Sequence, residues 1–309
     1  MTATADSPVW PAPAPDLHGA SGALGPGTGT GPAAVRVTGL TKTFGKDRDA
    51  PVLDGIDLEV AAGEFVCLLG ASGCGKSTML SLIAGLDRPT SGTVEVAGSA
   101  GGAAAAGKPG RAALMFQESA LFPWLTASGN IELALRLRGL GRADRKAEAA
   151  RLLQVVRLDG AAGKRVHELS GGMRQRVALA RALAQQADVL LMDEPFAALD
   201  AITRDVLHDE LVSVWRQTSV AILFVTHNVR EAVRLAQRVV LMSSRPGRIA
   251  RQWHVGIPQP RRIEDADVAD LAREITAELH REIEKHGIEK HGIEKQGAAA
   301  ARREEAVNV

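Results

Sequence analysis

Two hydrophobic rhythms run through this chain, and they predict two kinds of strand. Val35–Phe44, Val52–Val60 and Thr93–Val96 alternate apolar and polar residues, as antiparallel strands with one buried face do. Glu64–Leu69, Ala113–Phe116, Val189–Met192 and Val220–Thr226 are near-continuous apolar runs, the pattern of parallel strands covered on both faces. Between Phe116 and Ala187 the spacing turns helical, over Asn130–Arg138, Arg145–Val156 and Gly172–Gln185, which predicts a helical subdomain at about 118–187. A further helical run, Thr78–Leu86, follows the first apolar strand. The expectation is an α/β domain over 35–250 with a mixed-sheet core, an antiparallel β subdomain and a helical subdomain.

The flanks read differently. Residues 1–34 are rich in Pro, Gly, Ala, Ser and Thr and cannot bury enough surface to offset ordering entropy, so a flexible tail is expected there. Ser99–Gly110 is a Gly/Ala-rich insert that reads as a surface loop. In a C-terminal extension at 251–285, Val268, Leu271, Ile275 and Leu279 share one helical face, so that helix packs on something. Residues 286–309 read as a low-complexity tail. The five-residue repeat around His286 and His291 matches no helical face, and a solvated segment is the simpler reading than a metal site.

Composition narrows the setting. Of 309 residues, 37 are Lys or Arg and 36 are Asp or Glu, so no bulk attraction to nucleic acid or anionic lipid is indicated. The two cysteines, Cys67 and Cys74, make no disulfide framework and suit a reducing cytosol. No continuous apolar run reaches the ~18 residues that a bilayer span requires. The N-terminus lacks the basic-then-apolar order of a signal peptide, so work at a membrane would be peripheral.

Chemistry is concentrated at the ends of the apolar runs. Gly70-Ala71-Ser72-Gly73-Cys74-Gly75-Lys76-Ser77, followed by Thr78, matches a phosphate-binding loop between a buried strand and a helix. Its glycines let backbone N–H groups wrap phosphates, Lys76 neutralises them, and the Ser77 hydroxyl suits Mg²⁺. Val189–Met192 leads into Asp193 and Glu194, adjacent carboxylates that strand alternation points in different directions. Asp193 is suited to hold Mg²⁺ through its water shell, and Glu194 to polarise a water attacking the γ-phosphate. His227 ends another apolar strand, where it could contact that phosphate, and Gln117 follows a third, where it could sense Mg²⁺ or the water. Read singly, the acidic pair is a solvated turn, His227 a structural histidine and Gln117 a surface glutamine. Phe44 reads either as a core aromatic or as a stacking surface for adenine. Leu169-Ser170-Gly171-Gly172-Met173-Arg174-Gln175-Arg176 carries an N-cap serine and two glycines at a helix start, an anion-binding arrangement that could also be an ordinary capped helix.

That octapeptide resembles the signature of ATP-binding cassette (ABC) ATPases. The order of phosphate loop, Gln117, signature, carboxylates, Asp200 and His227 is similar to that family from about Val35 to Ile249. The resemblance implies a P-loop NTPase ABC cassette that hydrolyses ATP with Mg²⁺. It implies Ser77 and Asp193 at the metal, with Gln117 linking nucleotide state to the membrane subunits. Glu194 would be the base, His227 the switch histidine, and Ala198-Leu199-Asp200 a loop facing a second cassette. Ser170, Gly171 and Gly172 of one protomer would close on ATP held by Lys76 of the other, in a homodimer or a pair with a related chain. Leu121–Thr126, Asp193–Ala201 and Ser244–Ile249 resemble the importer branch for nitrate, sulfonates and taurine. That branch implies polytopic permease subunits, an extracytoplasmic solute-binding protein acting indirectly, no nucleic acid, and a place at the cytoplasmic face of the membrane. Leu121–Thr126 would help receive a permease helix, or else form a buried aromatic corner. Two departures stand out: Phe44 replaces the usual tyrosine, and Asn228 the usual aspartate. A soluble ABC protein acting on ribosomes or DNA is the rival from another class, but it usually has paired cassettes or coiled-coil insertions. A P-loop kinase would leave Leu169–Arg176 unexplained.

Overall fold

The computed structural model describes residues 32–45, 51–96, 111–218 and 220–285. Most of the proposed N-terminal tail, the Ser99–Gly110 insert and the 286–309 tail therefore lie outside the described residues. Two sheets organise the rest. Strands β1 (Ala33–Lys42), β2 (Leu53–Ala61) and β4 (Ser91–Val96) form an antiparallel sheet in the order β2-β1-β4. β1 already begins at Ala33, inside the stretch expected to be tail. The second sheet has the order β5-β6-β7-β3-β8-β9. Its members are β3 (Phe65–Leu69), β5 (Ala112–Met115), β6 (Val189–Asp193), β7 (Ala221–Thr226), β8 (Arg238–Met242) and β9 (Ile249–His254). All pairings are parallel except β8 with β9.

The apolar runs have a plain cause in this sheet. Cys67, Leu69, Met192, Phe224 and Leu241 face one apolar cluster, while Val66, Leu68, Leu191, Val225 and Val240 face another on the opposite side. A strand covered on both faces has no position left for a polar residue. The second cluster joins the sheet to helix α1 (Lys76–Ile83) and to the inner residues of the antiparallel sheet. The first carries α2 (Ala127–Leu137), α3 (Arg142–Val155), α4 (Gly171–Ala184), α5 (Ala201–Thr218) and α6 (Val229–Leu235). Fully burying one large aliphatic or aromatic side chain contributes about 1.5–3 kcal/mol, so these two clusters dominate the stability.

A seventh helix, α7 (266–285), has Val268, Ala272 and Ile275 buried and Leu271 and Leu279 packed beside them, on the face the spacing indicated. It lies against β9, where Trp253 Nε1 donates to Glu274 at 2.8 Å and Arg251 pairs with Glu274 and Glu278. β9 runs to His254, across the boundary drawn at 250, because Arg251–His254 complete the pairing with β8. Beyond it the buried Arg261 donates to the carbonyls of Val233 and Ala236, at the end of α6. Burial lowers the pKa of that guanidinium to about 10, and the carbonyls keep its N–H groups satisfied.

Register brings the carboxyl ends of five parallel strands to one edge. Leu69 sits opposite both Thr226 and Leu241, Asp193 opposite Val225, and Met115 opposite Met192. In open α/β sheets this edge forms the ligand crevice.

Candidate functional site

The loop 70–75 leaves β3 and turns directly into α1. Gly75 takes φ 98°, a conformation that favours glycine, and a Cβ there would lie 2.5 Å from Leu53 Cδ2. α1 has no side-chain N-cap, so its first N–H groups have no capping acceptor from the side chain before it. Lys76 is buried, and its ammonium donates to the carbonyls of Gly70 (2.8 Å) and Ala71 (2.9 Å). A cation folded onto its own loop, beside a helix start that no side chain caps, is a cradle suited to phosphate. Cys74 lies beneath with Sγ 3.8 Å from the ammonium, and burial pushes its thiol pKa up.

Ser77, the second residue of α1, stands close enough to Asp193 at the end of β6 for its hydroxyl to stabilise that carboxylate. Burial raises the Asp193 pKa, the Ser77 hydroxyl opposes that, and the neighbouring Glu194 adds to it. The paired oxygens suit a hard cation. Among the described residues no group of three or more His, Cys, Asp or Glu gathers as a metal cage. Mg²⁺ held by one or two protein oxygens, with phosphate oxygens and waters, requires none.

Glu194 turns to a different partner, but not by strand alternation as expected. β6 ends at Asp193, and Glu194 takes φ 43°, which is uncommon for a residue with a side chain. Its N–H is held by the Val225 carbonyl at 3.0 Å, and its carboxylate meets His227 Nδ1 at 3.0 Å. The turn, rather than the pleat, separates the two carboxylates. Gln117 is exposed just past β5, and its carbonyl accepts from Gln175 of α4 at 3.0 Å. Phe44 is 55% exposed, with Lys42 Nζ 4.8 Å from its ring centroid, so the core-aromatic reading of Phe44 fails.

At the start of α4, Ser170 Oγ accepts from Met173 N at 3.3 Å, as its N-cap pattern indicated. Gly172 has a second reason to be glycine that its sequence did not show: a Cβ there would lie 2.6 Å from Thr203 Cγ2 of α5. Gly171 faces Leu199 at 3.5 Å on the same measure. The signature turn therefore packs on the Ala198–Asp200 loop, where Asp200 caps α5 by accepting from Thr203 N at 2.9 Å. That bond draws the Asp200 pKa down.

Ser244–Ile249, noticed in the sequence only as a branch resemblance, lies against the phosphate loop. A Cβ on Gly247 would be 2.2 Å from the Cys74 carbonyl, so only glycine fits there. The Gly247 N–H donates to Val52 at 2.9 Å, and Arg245 Nη2 reaches within 3.5 Å of where a Gly73 Cβ would stand. Asn228 caps α6 by accepting from Arg230 N and Glu231 N, so a neutral residue serves that turn. Sequence reasoning missed His208, Glu231 and Thr226, which form a buried hydrogen-bonded chain behind His227. Polar residues in predicted apolar surroundings were the available signal.

A groove of about 660 Å³ opens between β5, α2 and α4, lined by Phe116, Phe122 and Leu137 together with Arg111, Arg138 and Arg181. Trp124 stands 5.5 Å from the Phe122 ring and is 68% exposed, so Leu121–Thr126 is not a buried corner. Among the described residues no helix is long and apolar enough to cross a membrane.

Residues 53–197 match the protein family described as ABC transporter. The chain is 46% identical over 225 residues to the nitrate import ATP-binding protein NrtD of Synechocystis sp., spanning 72% of this chain and 83% of that one. It is 44% identical over 241 residues to the taurine import ATP-binding protein TauB of Burkholderia pseudomallei, spanning 75% and 91%. A solved dimeric ATP-binding cassette, in a post-hydrolysis state bound to ADP and Pi, matches with TM-score 0.61 at 30% identity. That match covers 72% of this chain and 98% of the other.

Proposed function

This chain belongs to the ABC transporter family of ATP-binding proteins, and we propose that it is the ATP-hydrolysing subunit of an importer for a small solute such as nitrate, an aliphatic sulfonate or taurine. The names of its relatives support the importer reading, and nothing in the site favours a ribosome- or DNA-directed ATPase. The observation that carries the proposal is the pairing at two adjacent strand ends. Asp193 meets Ser77 while Glu194 meets His227, beside a buried lysine on a glycine loop.

In this reading Lys76 leaves the Gly70 and Ala71 carbonyls for the β and γ phosphates, and the loop N–H groups wrap them. Phe44 offers its exposed ring to adenine. Ser77 and Asp193 would hold Mg²⁺, with Gln117 as a further polar group near it, and the bound ion would supply neutralisation of charge on the phosphates. Glu194 accepts a proton from the attacking water, and His227 orients both carboxylate and γ-phosphate.

The cassette works as a dimer, a reading supported by the dimeric relative. Ser170, Gly171 and Gly172 of one protomer complete the site on the other, with Asp200 at the contact. The groove beside Trp124 receives an apolar, acid-bearing helix of a membrane permease, since three arginines rim a mostly apolar surface. The subunit is then peripheral at the cytoplasmic face, and a solute-binding protein acts on it only through the permease.

Glu194→Gln tests the proposal. The variant is expected to bind ATP, accumulate as a dimer in size-exclusion chromatography, and turn over at least about a hundredfold more slowly. Hydrolysis near the parent rate would sink the assignment of the base.

A further inference from the structure

Behind the Glu194–His227 pair lies a chain of buried polar groups that ATP does not reach in the reading above. His208 of α5 is 2% exposed, and its Nε2 stands 2.6 Å from Glu231 Oε1. Facing a carboxylate at that distance, Nε2 carries the proton and donates. The other oxygen of Glu231 accepts from the Thr226 hydroxyl. That hydroxyl oxygen in turn accepts the N–H of Asn228 at 3.0 Å. Every bond in the series thus runs toward one buried carboxylate, which sits in the first turn of α6 where the helix dipole favours negative charge.

The position of the last bond matters most. A hydroxyl on residue 226 holding the N–H of residue 228 restrains the backbone of the residue between them, and that residue is His227. The His227 ring itself is 63% exposed and has Glu194 as its partner, so packing around the ring does little to hold it. At its other end the chain reaches α5, the helix capped by Asp200. His208 also meets the ring of Phe196 edge-on at 5.5 Å, and Arg204 of α5 donates to the Phe196 carbonyl at 3.3 Å. Phe196 belongs to the turn that begins at Glu194. The two members of the hydrolytic pair therefore rest on the same helix.

We infer that His208, Glu231 and Thr226 form a positioning relay that sets the His227 backbone, and that α5 links it to the Asp200 loop at the dimer contact. The relay rests on the reading of His227 and Glu194 as the hydrolytic pair. None of its three residues touches substrate, so their substitution acts on the rate through His227 and leaves nucleotide affinity alone. Through α5 the Asp200 loop and the relay share one rigid element, so a contact made at that loop bears on the His227 backbone.

The test uses the full chain with single-turnover hydrolysis and equilibrium ATP binding measured side by side. Thr226→Val keeps the volume and removes the hydroxyl. It is expected to bind ATP within about twofold of the parent and to hydrolyse it about tenfold more slowly. Thr226→Ser, which keeps the hydroxyl, restores the rate. At the far end His208→Leu slows hydrolysis and His208→Gln, which can still donate to Glu231, restores it. In a His227→Ala background Thr226→Val causes no further loss, because the relay acts only through that residue. Melting curves establish that each variant is folded at the assay temperature, and the His208 pair carries the test if Thr226→Val is not. A parent-like rate in folded Thr226→Val, or an undiminished loss in the His227→Ala background, overturns the relay while leaving the site reading intact. Parent-like hydrolysis by His227→Ala overturns the site reading and the relay with it.

Discussion

Substituting Gly172 separates what the signature turn does for its own fold from what it does for a partner. An alanine Cβ at this position would lie 2.6 Å from Thr203 Cγ2, well inside contact distance. Threonine is stiff at χ1, and the Thr203 backbone is fixed because its N–H donates to the Asp200 carboxylate. The methyl group therefore has few low-energy positions to swing into. Overpacking of this kind costs about 1–3 kcal/mol. In a chain of this size each kcal/mol lowers the melting temperature by a few degrees. Gly172→Ala is therefore expected to melt several degrees below the parent in nucleotide-free buffer, by circular dichroism or calorimetry. Thr203→Ser removes the obstructing methyl and keeps the backbone N–H that binds Asp200, so the double variant regains most of that stability. If the glycine also lets a backbone N–H approach a partner's nucleotide, the double variant still hydrolyses ATP slowly although its fold is repaired. A Gly172→Ala protein that melts with the parent would refute the packing argument. A double variant no more stable than Gly172→Ala would refute the assignment of the clash to Thr203.

Asp193→Asn trades activity for stability. The Asp193 pKa is raised mainly by burial, so the folded state binds its proton more readily than the unfolded chain does. Stability therefore falls as pH rises from the ordinary carboxylate value of 3.8 through the raised one, and the charged form is a net burden at neutral pH. Asp193→Asn is expected to melt higher than the parent at pH 7, with the difference closing as pH falls toward 4, and to lose Mg²⁺-dependent hydrolysis. An unchanged or lower melting temperature at pH 7 contradicts the burial argument. Lys76→Ala removes an ammonium that now satisfies two loop carbonyls. Its affinity for labelled ATP should drop by at least about tenfold, the worth of a charge-assisted hydrogen bond, in an equilibrium assay. Affinity within experimental error of the parent would argue that the phosphates lie elsewhere.

How much of this was legible depends on how purely each element is apolar. β3 and β7 stood out because every residue in them is buried, so the run has no polar interruption. α5 did not emerge, although at 18 residues it is long. Of its buried positions, His208 and Glu210 are polar, and they break the stripe by which an amphipathic helix is recognised. β9 was hidden for the opposite reason: as the edge strand it buries only Trp253, so neither rhythm is present. In the candidate site, loop and strand-end residues could be picked out from their motifs alone. The reason Glu194 parts from Asp193 could not, since it lies in a positive-φ turn fixed by the Val225 carbonyl across the sheet. Gly247 was equally opaque, because its need to be glycine arises from the Cys74 carbonyl, distant in sequence.

Several contacts that the sequence did not reveal share a location, and that location has a consequence. His208, Thr203, Arg204 and the Asp200 cap all belong to α5 or its first turn, and between them they touch the signature turn, the Glu194 turn and the relay behind His227. Polar contacts have narrow distance and angle requirements, so a helix carrying several of them responds to displacement more sharply than one held by apolar packing. A small shift of the Asp200 loop therefore strains bonds at both members of the proposed hydrolytic pair together, whereas the buried residues of α3, Ala149, Leu152 and Leu153, are all apolar. The polar residues that obscure α5 as an amphipathic pattern are among the contacts that suit it to carry information between the proposed dimer contact and the proposed hydrolytic site.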